Sequence, residues 1–128
     1  MESTRSNSAE EIRAELERVL ASAPFANSNR SQRFLQYVVE SSLNNQDESL
    51  KEFAIAVDVF ERSDSYDPSV DATVRVEAGR LRSRLRDYYA DEGRTDPIVI
   101  DVPKGGYRAT FTERSAVGES AAATVEPL

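Results

Sequence analysis

Residues 73–85, TVRVEAGRLRSRL, followed by residues 98–111, IVIDVPKGGYRATF, decide how this chain is read. The first stretch has helical spacing. At about 100° per residue, Val74, Ala78, Leu81 and Leu85 share one side, and Tyr88 extends that apolar seam. The opposite side carries the small residues Ala72, Val76, Gly79 and Ser83. Arg75, Arg82 and Arg86 form one flank, and Arg80 and Arg84 lie round the other. A helix is expected from about Ala72 to about Ala90, with Asp71 as its N-cap and Gly93 closing it. In the second stretch Ile98–Val102 reads as a strand, Pro103–Gly106 as a tight turn and Tyr107–Phe111 as the returning strand. Lys104 sits at the tip of this β-hairpin and Arg108 on its return.

Upstream, three more helices are expected. Ser8-Ala-Glu-Glu11 has the capping-box form, and Ile12, Leu16, Val19 and Leu20 follow at helical spacing to about Ser22, where Pro24 bars continuation. A second helix runs from Asn29 or Arg30 to about Leu43, burying Phe34, Leu35, Val38, Val39 and Ser42. A third is marked by a capping box at Ser49-Leu-Lys-Glu52, with an apolar stripe of Leu50, Phe53, Ala54, Val57 and Phe60. Residues 63–71, SDSYDPSVD, are dense in turn formers. The expected fold is therefore mainly α with a C-terminal β-hairpin (α+β): four helices followed by a wing. Its domain covers residues 9–112, with residues 1–8 a disordered N-terminus and residues 113–128, rich in Ala, Ser and Thr, a disordered tail or linker.

Composition narrows the chemistry. Neither Cys nor His occurs, so disulfides, thiol nucleophiles, ordinary zinc sites and the commonest general base are all excluded. Asp64, Asp67 and Asp71 lack the central Gly and final Glu of a calcium loop and read as turn formers and caps. Gly105-Gly106 is no phosphate loop, because no helix follows it. The chain is expected not to be an enzyme, and to need no cofactor, no metal and no small-molecule substrate. No stretch has the roughly 20 apolar residues of a membrane helix, and residues 1–7 lack the apolar core of a secretion signal, so a cytoplasmic location without a membrane partner is expected.

Charge is distributed unevenly. The net charge is −7, yet residues 75–86 hold five Arg against Glu77 alone, giving +4. A ridge of small residues lets a helix backbone approach a partner closely, and arginines on either flank can reach phosphates or the acceptor edge of guanine. Double-stranded DNA is the partner this arrangement suits. The plainer reading is that Arg favours helices and that charged faces usually meet only water. A second functional reading is a protein-contact or self-assembly module, a homo-oligomer in which the Arg helix meets the acidic first half of another copy; the overall negative charge favours it.

The two stretches together resemble the last helix and wing of OmpR/PhoB-type effector domains, which read like T-V-x-V-H-I-x-R-L-R-x-x-L and then I-x-T-V-R-G-x-G-Y-R-F. Thr73, Val74, Val76, Arg80, Leu81, Arg82 and Leu85 match in the helix, and Val102, Gly106, Tyr107 and Arg108 in the hairpin. Residues 9–111, with FLQYVVE, LKEFAIAVDVF and VRVEAGRLRSRL, look still more like a winged-helix module at the N-terminus of larger bacterial proteins. The resemblance implies a winged helix-turn-helix that binds DNA and regulates transcription. It implies that Arg80 and Arg82 face bases or phosphates, that Thr73 contacts the backbone, that Lys104 takes the place of the wing Arg, and that Leu81, Leu85 and Tyr107 are core. The expected DNA-contacting set is Thr73, Arg75, Val76, Gly79, Arg80, Arg82, Ser83, Arg86, Lys104 and Arg108. Glu77 departs from the usual His, Gly79 stands where a base-reading basic residue often is, and neither the preceding four-stranded sheet nor a receiver domain is present.

Overall fold

A computed structural model describes residues 8–114. Helix α1 spans Ala9–Leu20 and α2 Ala23–Ala26. They are followed by α3 (Asn29–Leu43), a 3-10 turn (Asp47–Leu50), α4 (Glu52–Asp58) and α5 (Thr73–Ala90). Strands β1 (Ile98–Asp101) and β2 (Thr110–Glu113) form an antiparallel pair. The chain is thus mainly helical with a C-terminal hairpin, as expected.

The starts of α1, α3 and α5 have local causes. At α1 the capping box forms in full: the Glu11 amide donates to Ser8 Oγ (3.1 Å) and the Ser8 amide to Glu11 Oε1 (3.4 Å). Ser28 caps α3 by accepting from the Ser31 amide (3.1 Å). At α5 the N-cap position is Ala72, and Asp71 does the capping from one residue earlier, its carboxylate accepting from the Thr73 amide (2.9 Å) and hydroxyl. Those bonds, with Arg62 at 2.9 Å, pull the Asp71 carboxyl down to about 2.

Three expectations are corrected. The described α-helices number five, because Pro24 bars α1 and then opens α2, where its fixed φ and missing N–H suit the first turn. The capping box at Ser49 does not form: Lys51 is extended (φ −81°, ψ 151°), so α4 begins at Glu52. That offset turns Ile55 and Ala56 to the interior beside Leu50, Val59 and Phe60, and leaves Phe53 48% exposed against Tyr66. The hairpin turn is not tight. The return strand starts at Thr110, pairing Ile98 with Glu113 and Asp101 with Thr110, so residues 102–109 form a long loop. Gly105 alone among its residues has a positive φ (101°).

One apolar core runs through the described residues. Helix α5 lies against α2, α3, α4 and β1, burying Val74, Ala78, Leu81, Leu85 and Tyr88 among Phe25, Phe34, Leu35 and Ile55. Helix α1 covers the far end, with Ile12, Leu16 and Val19 buried near β1. The expected tail begins with residues that belong to the fold: Glu113 closes β2, and Arg114 donates to the carbonyls of Gly93 (3.1 Å) and Asp96 (3.2 Å). Residues 1–7 and 115–128, which hold the rest of both expected disordered ends, lie outside the described residues. No described helix is long and apolar enough to cross a membrane.

Candidate nucleic-acid interface

Helix α5 presents a face that nothing in the described chain covers. Val76 is 47% exposed, Gly79 is exposed, and together with Arg80, Ser83 and Arg84 they line a shallow open groove. A Cβ added to Gly79 would meet no atom within 4 Å. A glycine inside a helix costs about 1 kcal/mol relative to alanine, and no neighbour in this fold requires that sacrifice. The ridge expected from helical spacing is therefore present and open.

On the flank nearer the hairpin, Arg75 and Arg82 are committed to the protein. Arg75 donates to Glu52 Oε2 and to the Pro68 carbonyl, both at 2.7 Å. Arg82 donates from Nε to the Val102 carbonyl (2.6 Å) and from Nη2 to the carbonyls of Gly106 (2.9 Å) and Pro103 (3.3 Å). Arg82 is thus a strut for the hairpin loop. The resemblance places this side chain against bases or phosphates, and those three bonds turn it to the loop carbonyls instead. Thr73 is similarly occupied, accepting from Arg62 Nη2 (2.7 Å) while its own hydroxyl is donated to Asp71.

Glu52, at the start of α4, ties this side together. Its carboxylate accepts from Arg75, from the Tyr66 hydroxyl (2.9 Å) and from the Tyr107 hydroxyl (3.3 Å). Burial, then Glu52, pushes the Tyr66 hydroxyl up to about 12, and the same causes raise Tyr107. Tyr107 is half-buried, at the edge of the interior expected for it, while Leu81 and Leu85 are core.

The other flank is built differently. Glu77 is only 6% exposed and accepts from Arg80 Nη1 (3.0 Å) and Arg30 Nη1 (3.2 Å). Arg84 donates to the Pro24 carbonyl (2.7 Å), and its Nε is buried without a hydrogen-bond partner among the described residues. On the flank of Arg75 and Arg82, Arg86 is exposed and among the described residues bonds only Ser83 Oγ (3.1 Å). Lys104 is exposed on the hairpin loop with no partner among the described residues. Arg108 pairs with Asp47, tying the loop to the 3-10 turn, and the Ala109 amide donates to Ser42 Oγ (2.9 Å).

Ten expected residues therefore divide into two sets. Val76, Gly79, Arg80, Ser83, Arg86 and Lys104 lie on the open side of α5 or at the loop tip, whereas Thr73, Arg75, Arg82 and Arg108 hold the scaffold through charged or polar partners. Arg30 is an addition that local sequence did not signal, since it meets Glu77 from 47 residues away. Among the described residues no cluster of carboxylates could hold a metal ion. Compared with known protein families, with curated proteins and with solved structures, the chain matches none.

Proposed function

We propose that this chain is a winged helix-turn-helix domain that binds double-stranded DNA and regulates transcription, with no catalytic activity. Helices α4 and α5 are the helix-turn-helix, α5 enters the major groove and the loop between β1 and β2 is the wing. The observation that carries this reading is the open ridge of Val76, Gly79 and Ser83 on α5, flanked by guanidiniums and uncrowded at Gly79. Such a ridge brings helix backbone near base edges while arginines meet phosphates, and the basic loop tip at Lys104 reaches the neighbouring groove. The order of helices and hairpin agrees with the winged arrangement that the resemblance of residues 73–85 and 98–111 implies. The acidic remainder of the chain disfavours indiscriminate attraction to polyanions, so binding depends on this one face.

Fluorescence anisotropy with mixed-sequence duplex tests the reading. The expected result is duplex binding that weakens by about a hundredfold between 50 and 200 mM salt, as about four phosphate contacts require. Absence of binding, or binding indifferent to salt, overturns it; concentration-dependent oligomers in light scattering with no affinity for duplex instead support self-assembly.

A further inference from the structure

The wall of the α5 groove away from the hairpin holds two cations on one buried oxygen. Burying a carboxylate is costly unless it is paired and hydrogen-bonded. Glu77 Oε2 is paired twice, by Arg80 one turn along α5 (3.0 Å) and by Arg30 at the start of α3 (3.2 Å). Arg30 is also fixed above the Phe60 ring, 5.7 Å from its centroid. Both side chains nonetheless remain more than half exposed, Arg80 at 62% and Arg30 at 57%. Each commits only Nη1 to a hydrogen bond, so most of its five N–H donors are uncommitted among the described residues. Two like charges stay side by side because an anion sits behind them, and the trio keeps a net charge of +1.

We infer that Arg30 contacts the DNA backbone, and that Glu77 is the positioning residue that sets Arg30 and Arg80 as a paired grip on phosphate. This inference rests on the DNA reading of α5. A major groove is about 12 Å wide and has a phosphate wall on each side. A helix seated in it therefore needs cations on both flanks. Toward the hairpin, Arg75 and Arg82 are spent on Glu52 and on loop carbonyls, leaving Arg86 and Lys104 for that wall. On the opposite side the two guanidiniums held by Glu77 are the matching element, and α3 becomes part of the interface. Charge-assisted hydrogen bonds to phosphate suit forked guanidiniums in particular.

The test is the salt dependence of duplex binding by Arg30→Gln, Arg30→Lys and, as a control for distant charge, Arg13→Gln on α1, each checked for fold by thermal melting. For Arg30→Gln the slope of log affinity against log salt becomes shallower by about 0.9, the share of one phosphate, with about tenfold weaker binding at low salt. Arg30→Lys, which keeps the charge, retains the wild-type slope, and Arg13→Gln leaves it unchanged. In a Glu77→Gln background the loss caused by Arg30→Gln shrinks, because Arg30 is then no longer aimed. If wild type binds duplex and Arg30→Gln matches Arg13→Gln, the grip is refuted while the α5 reading survives. If wild type binds no duplex, that earlier reading falls and the grip falls with it. An equal Arg30→Gln loss with and without Glu77 removes the positioning role.

Discussion

At the scale of single residues, Gly93 shows how an absent atom holds a helix end. A Cβ there would lie 2.1 Å from the Tyr88 ring, so the chain can turn across the ring only with hydrogen at that position. The Gly93 amide donates to the Tyr88 carbonyl (2.8 Å), which satisfies one of the last free acceptors of α5. Gly93→Ala is expected to cost about 1–3 kcal/mol by overpacking, read as a melting temperature lowered by several degrees. The position of Gly93 as a stop was legible, because a glycine after an apolar seam marks a helix end. Its reason was not, since φ at Gly93 is not positive and the constraint comes from Tyr88. Arg82 teaches the same lesson in reverse. Helical spacing puts it off the apolar seam, and only the loop carbonyls 20 to 24 residues away show what it serves.

At the scale of elements, the hairpin loop is shaped from outside itself. Arg82 gathers three of its carbonyls, Asp47 holds Arg108, and Ser42 receives the Ala109 amide. Arg82→Ala is expected to destabilise the fold by about 1–2 kcal/mol, on the scale of charge-assisted hydrogen bonds that remain partly solvated. It should also speed amide hydrogen exchange across residues 102–109, whereas Arg86→Ala, losing only a bond to Ser83, leaves the melting temperature within a degree of wild type. Unchanged exchange in Arg82→Ala would contradict the strut. These outside contacts explain why the return strand was misplaced by three residues from sequence: alternation marks a strand, but the loop length is decided by groups on α3, the 3-10 turn and α5. Helices α1, α3 and α5 were readable because long apolar periods and caps agree there. Helix α4 was readable as a helix but its start and buried face were not, because Lys51 is extended and Leu50 enters the core, a tertiary demand with no local signature.

At the scale of the whole molecule, one polar network spans both ends of the described chain. Glu15 on α1 is fully buried, accepting from Arg18 Nη2 (2.7 Å) and from the Tyr89 hydroxyl (2.8 Å). Asp96 lies nearby, accepting from the Tyr88 hydroxyl, with Arg18 Nε 3.7 Å away. Burial, then the hydrogen bond with Asp96, pushes the Glu15 carboxyl up to about 7 from an ordinary 4.5, against the opposing pull of Arg18 and Tyr89. The folded state therefore binds this proton more tightly than the unfolded chain does, so the Glu15 contribution is complete below about pH 4.5 and is lost as pH rises to about 7. Thermal melting should show a stability loss across that window that Glu15→Gln abolishes; an identical slope in the variant would exclude Glu15 as its source. The candidate site was legible where it depends on one helix, in the small-residue ridge of α5. It was hidden where distant parts of the chain converge, as Arg30 and Glu77 do.

The Tyr89 hydroxyl donates a hydrogen bond to Glu15 and accepts one from the Ile100 amide (3.0 Å), so one phenol oxygen bridges α1 and β1. Anyone moving α5 into another protein inherits this obligation. A graft cut just ahead of α3 would strip the phenol of its acceptor and open the hydrophobic seat of Ile12, Leu16 and Val19 to water. The smallest portable part therefore starts at Ser8, and the first helix belongs to the same folding unit as α5.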